Sequence, residues 1–156
     1  MNNSIAVTES PDSGQATPSP HAAVSLGALL GFLGVALGAF GAHGLQGMLD
    51  GAALEAAERA KRIDWWKTAA HYQLVHAVAI VAIGALPWRS RRAPVLMVAG
   101  VLIFSGTLYA MALGAPRWFG AITPIGGVLL MAGWLGLLLG APFRGQGKGQ
   151  GLGGGA

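Results

Sequence analysis

The sequence predicts an all-α fold: a polytopic membrane protein whose four transmembrane helices form a compact bundle. Three observations predict it. Of 156 residues, 53% are hydrophobic and only 10% are charged, against roughly 25% charged in a soluble globular chain. The charges are confined to islands: Glu9 and Asp12, Asp50 to Lys67, Arg89 to Arg92, Arg117, and Arg144 with Lys148. Between the islands lie charge-free apolar runs at 22–42, 68–86, 93–115 and 118–141, of 21, 19, 23 and 24 residues. A helix needs about 20 apolar residues to cross a hydrocarbon core of about 30 Å, so each run is long enough. A chain this short has nothing else in which to bury four such helices.

The elements follow in order. Residues 1–21 are rich in Ser, Thr, Pro and Asn and are expected to form a disordered tail. The tail has no Lys or Arg, and the run after it is too long for a cleaved signal, so the first helix is expected to be retained. Helix one carries Gly27, Gly31, Gly34, Gly38 and Gly41, a seam whose spacing of four and three averages the period of left-handed packing. Lipid supplies no hydrophobic drive between helices, so small residues that let backbones approach are expected to hold them together. Next comes a short helix over 50–63 near the membrane surface. Asp50 is its expected N-cap, and Glu55–Arg59 and Glu58–Arg62 are its i,i+4 pairs. Trp65 and Trp66 mark the interface.

Helix two offers Ala70, Ala77 and Gly84 as its small face, and helix three offers Gly106, Ala110 and Gly114. Pro94 opens the third run and Pro116 closes it. Pro124 sits inside the fourth run, so that helix either starts there with Thr123 as its cap or kinks there. Its seam is Gly126, Gly133, Gly136 and Gly140. The seams are expected to pack helices within one chain, with homo-oligomers as the alternative. The transmembrane domain covers 22–143, and the Gly-rich residues 144–156 are expected to be a mobile tail.

Several kinds of chemistry are excluded. With no cysteine there is no disulfide, thiolate metal site or thiol oxidoreductase. The basic residues are scattered, which argues against nucleic acid as a partner. No Asp, Glu, Lys or Arg lies inside a run, which argues against an ion pump or a proton-coupled exporter. The polar residues left at depth form a candidate cluster: His43, His71, Tyr72, Gln73, His76, Ser105, Tyr109 and Thr123, with Thr107 beside them. His43, His71 and His76 fall near the same membrane side and could gather as a metal, haem or quinone site. Against that, His71 and His76 are five residues apart and share no helix face, and no carboxylate is near. Interhelical hydrogen bonding is therefore the expected role, and no metal or cofactor is expected. No Ser, His and Asp set supports a hydrolase.

Read together, the motifs are Gly38-Ala39-Phe40-Gly41-Ala42-His43, Tyr72-Gln73 with His76-Ala77, Phe104-Ser105-Gly106-Thr107-Leu108-Tyr109, Thr123-Pro124-Ile125-Gly126-Gly127 and Ala132-Gly133-Trp134. In this order and spacing, over about residues 26–141, the chain resembles the YgdD-like family of small bacterial inner-membrane proteins. The resemblance implies four transmembrane helices, an uncharacterised role and no established active site. The expected function is a non-enzymatic structural or accessory protein that supports the envelope or a partner complex. A small-molecule channel or carrier is one alternative. A redox or metal protein using His43, His71 and His76 is the other. The expected partners are the lipid bilayer and a second copy or another membrane protein. Five Lys/Arg fall on each side of the membrane, and the compact Arg89–Arg92 loop favours cytoplasmic termini.

Overall fold

The structure, a computed structural model, describes residues 20–85 and 92–140. Its elements are α1 (Pro20–Asp50), α2 (Ala56–Ala85), α3 (Arg92–Ala112), a 3-10 turn (Arg117–Ala121) and α4 (Thr123–Gly140). Among the described residues, four segments are long and apolar enough to cross a membrane. Of the expected N-terminal tail, Pro20 and His21 already belong to α1. The rest of it, the Gly-rich C-terminal tail, and Arg89, Arg91, Arg144 and Lys148 lie outside the described residues.

α1 does not stop at Ala42. Its 31 residues reach roughly 46 Å, well beyond a hydrocarbon core of about 30 Å. Tertiary packing carries it onward: Leu45 and Leu49, one turn apart, are buried against Trp66 and Ala112, with Leu54 and Ile63 alongside. The separate surface helix expected at 50–63 is absent. Asp50 ends α1 rather than capping a new helix, and the chain turns through Gly51, Ala52 and Ala53. α2 then runs unbroken from Ala56 past Trp65 and Trp66, because no Gly or Pro interrupts it there. Glu58 pairs with Arg62 as expected, whereas Arg59 pairs with Asp50 and ties the two helix ends together.

α3 ends earlier than its apolar run, at Ala112, in a Schellman motif. Gly114 adopts φ +104°. The Ala115 N–H donates to the Ala110 carbonyl at 2.9 Å, and the Gly114 N–H donates to that of Met111 at 3.0 Å. Gly114 is therefore a helix cap and not a member of a packing face. Pro116 then opens the 3-10 turn. α4 begins at Thr123, so Pro124 lies in its first turn, where a missing N–H costs nothing. Its 18 residues reach about 27 Å, close to the span length.

Helices pack in chain order: α1 on α2, α2 on α3, α3 on α4. α1 meets α3 only marginally, and the described backbones of α1 and α4 do not meet. All four still share one core, with Leu30, Ala77, Ile80, Met97, Val101 and Leu130 at its centre. The outer faces carry large exposed apolar side chains, among them Phe32, Val78, Leu102 and Leu139. Such a surface suits lipid and would aggregate in water.

The seam glycines divide by what stands opposite them. A Cβ on Gly27 would lie 2.9 Å from the Val81 nitrogen, and one on Gly84 would lie 2.9 Å from the Val24 nitrogen, so α1 and α2 cross backbone to backbone there. On the other side, a Cβ on Gly126 would meet the backbone of Phe104, and one on Gly133 would lie 2.7 Å from Met97 Cγ. Gly34 faces Leu74, Gly41 faces Trp66, and Gly31 has only an ordinary contact with Ala77. Gly38 and Gly106 have nothing within 4 Å. Gly136 and Gly140 are half-buried.

Candidate functional site

The polar side chains inside the spans form a set of hydrogen bonds that joins the helices. Trp66 Nε1 donates to the Leu37 carbonyl at 2.8 Å, and Gln73 Nε2 donates to the Leu30 carbonyl at 2.9 Å. The donors lie seven residues apart on α2, and the acceptors lie seven apart on the antiparallel α1. A helical side chain covers the turn N-terminal to its own Cα. The residues that would cover these two carbonyls, four positions on, are Gly41 and Gly34. The glycines of α1 thus bare the carbonyls that the α2 donors reach, besides bringing the helices close. At the next interface Ser105 Oγ donates to the Ala69 carbonyl at 2.9 Å. The hydroxyls of Thr107 and Thr123 lie 2.9 Å apart, each with a carbonyl of its preceding turn in reach, Ile103 at 2.8 Å and Phe119 at 3.3 Å; one hydroxyl donates to its carbonyl and accepts from the other. The Thr123 hydroxyl is therefore turned toward α3 and away from a capping role.

His76 lies at the centre of this set and is buried. Its Nδ1 is 2.7 Å from the Tyr72 carbonyl, which can only accept, so Nδ1 carries the proton. Trp134 Nε1 donates to Nε2 at 3.1 Å, which requires Nε2 to be bare. The imidazole is thus neutral, in one tautomer, with both nitrogens occupied. Tyr72 stacks beside it, the rings 5.9 Å apart and 16° from parallel, and packs on Phe104 at 4.5 Å.

The candidate cluster is therefore only partly brought together. Gln73, His76, Ser105 and Thr107 are buried, and Thr123 is half-buried against Thr107. Tyr109 packs edge-on against Trp66 at 4.6 Å, its hydroxyl buried without a hydrogen-bond partner. His43 and His71 are exposed, and His71 lines one shallow pocket with His76, which His43 does not join. Among the described residues, no group of three or more His, Asp or Glu is placed to hold a metal ion. Two members of the set are not legible as polar residues at depth, Trp66 and Trp134. Trp66 does more than mark the interface, and Trp134 is the partner of His76. The signal for Trp66 was its heptad separation from Gln73.

Known proteins similar to this chain agree on its class. The family model described as a protein of unknown function, DUF423, matches residues 37–127. A UPF0382 membrane protein of Staphylococcus haemolyticus is 41% identical over 120 residues, covering 74% of this chain and 91% of the relative. A UPF0382 membrane protein of Haemophilus influenzae is 39% identical over 122 residues, covering 76% and 91%. The UPF0382 inner membrane protein YgdD of Escherichia coli is 36% identical over 119 residues, covering 73% and 84%. No solved structure matches the chain.

Proposed function

The chain belongs to the DUF423 family of UPF0382 membrane proteins, and from that premise we propose that it is a non-enzymatic accessory protein of the inner membrane, acting by its shape on a partner or on the bilayer. The observation that carries this reading is the occupancy of His76. Its two nitrogens are held by Tyr72 and Trp134, so neither is free to bind a metal or to move a proton. Gln73 gives one amide proton and Ser105 its hydroxyl proton to backbone carbonyls. Groups committed in this way hold helices in register; they are not poised for turnover.

The test is purification of the full chain in mild detergent, with elemental analysis, visible absorbance and co-purifying proteins recorded together. The expected result is no stoichiometric metal and no visible absorbance. His76→Leu is expected to lower unfolding stability by about 1 kcal/mol, the size of an interhelical hydrogen bond in a membrane. A stoichiometric metal or chromophore that His76→Leu removes would overturn the reading.

Cytoplasmic termini belong to the same proposal. The basic residues from Arg89 to Arg92 have no acid beside them in the sequence. Short loops dense in Lys and Arg stay in the cytoplasm, and Arg89, Arg91 and Arg92 fall within four residues. A C-terminal reporter that is active only in the cytoplasm is expected to be active on this chain, and a silent reporter on a well-expressed fusion would reverse the orientation.

A further inference from the structure

At the end of the molecule where α1 turns into α2, a cavity of about 420 Å3, open to its surroundings, lies between α2, α3, the 3-10 turn and the first turn of α4. Its composition changes with depth. The rim carries two cations, Lys61 on α2 and Arg117 on the 3-10 turn, and the walls are Trp65, Leu108 and Met111. Phe104 lines it too, two turns of α3 below Met111. From Met111 to Phe104, α3 descends seven residues, roughly 10 Å toward the middle of the membrane. The cavity is therefore an amphiphile's outline: positive at the level of the helix ends, apolar for several carbons below. Trp65 in its wall and exposed Trp118 beside it place the rim at the aromatic belt.

We propose that this cavity is a binding site for one anionic phospholipid, its phosphate between Lys61 and Arg117 and the upper part of an acyl chain along Leu108, Met111 and Phe104. The rim favours an anion, and the depth favours a chain over a free ion, since a soluble phosphate would leave the apolar wall unfilled. Both cations are available. Lys61 is exposed, its ammonium 4.9 Å above the Trp65 ring. Arg117 is 83% exposed, and its nearest acid, Glu58, is 3.6 Å away and already shared with Arg62. A surface pair this loose exchanges for a phosphate at little cost. The walls are fixed from behind, where Met111, Leu108 and Ala69 form a small core with Trp65 and Phe119 packed on it. The site stands apart from the His76 set and does not depend on the proposed accessory role.

The experiment is native mass spectrometry of the full chain released from mild detergent, titrated with phosphatidylglycerol, with phosphatidylethanolamine and with inorganic phosphate. Three chains are compared: the unaltered chain, the double variant Lys61→Gln/Arg117→Gln, and Gly120→Leu. Gly120 lines the cavity, and a Cβ there meets only the Met111 side chain, Sδ at 3.5 Å and Cε at 4.0 Å, so a larger side chain enters the space while both cations remain. Helix content and melting temperature are read alongside, so that a misfolded variant is recognised, and Gly120→Ala replaces Gly120→Leu if the latter unfolds. The unaltered chain is expected to retain one phosphatidylglycerol in preference to phosphatidylethanolamine, and the double variant is expected to lose about tenfold in that retention. The filled cavity is expected to lose retention too, although its charge is unchanged. Three results would overturn the proposal: equal retention of the two lipids, unchanged retention in the folded double variant, or displacement of phosphatidylglycerol by inorganic phosphate at matched concentration. Loss on charge removal with none on filling the cavity would assign the binding to surface charge and would also overturn it.

Discussion

Gly126→Ala is expected to force α4 away from α3 and to lower the stability of the chain by about 3 kcal/mol, at the upper end for overpacking a filled site. The added methyl would sit on the backbone nitrogen, Cα and Cβ of Phe104. None of these is the free end of a flexible side chain, so relief needs movement of a whole helix. The matched controls are Gly38→Ala and Gly106→Ala, both with open space at the Cβ position. Alanine is the better helix former, so these two are expected to be neutral or slightly stabilising. Unfolding of the purified chains in a denaturing-detergent titration measures all three. Equal losses at Gly126 and Gly38 would mean that close approach of α3 and α4 is not what Gly126 provides.

Gly41→Ala is also expected to be strongly destabilising, because it removes two things together. The methyl would overlap the Trp66 indole at Cδ1 and Nε1. It would also cover the Leu37 carbonyl that the indole reaches. A cost of about 2 kcal/mol follows from overpacking plus one lost interhelical bond. In a Trp66→Leu background the ring is gone and the same methyl has room. A double-mutant cycle is expected to give a coupling of at least about 1 kcal/mol between the two positions. Additive losses would show that the glycine acts elsewhere than on Trp66.

The four spans were legible because they are written in charge, which responds to solvent and needs no knowledge of neighbours. Helix ends were less legible where packing decides them. Leu45 and Leu49 extend α1 because Trp66 and Ala112 cover them, and neither partner is near in sequence. Gly114 illustrates two local rules in competition: it fits a four-residue small-residue spacing with Gly106 and Ala110, and it also fits a helix cap followed by proline. The cap prevails, since its φ of +104° is open to glycine and strained for other residues. Within the polar cluster, Gln73 and His76 were legible as polar residues at depth. Most of their partners were not, because a backbone carbonyl is an acceptor that every residue possesses and no residue advertises. Only the glycine four positions after each α1 acceptor leaves a trace in the sequence.

The chain-order packing of the helices bears on how the molecule is made. Each span after the first packs on the span synthesised just before it. When α2 enters the bilayer, its first partner is already there, and Trp66 and Gln73 can close onto α1 at once. α3 then finds the Ala69 carbonyl waiting for Ser105, and α4 brings Trp134 to His76 last. No helix has to wait beside the translocation machinery for a distant sequel, as α1 would if its main partner were α4. Assembly by local contacts shortens the time for which donors such as Gln73 stand unpaired in hydrocarbon.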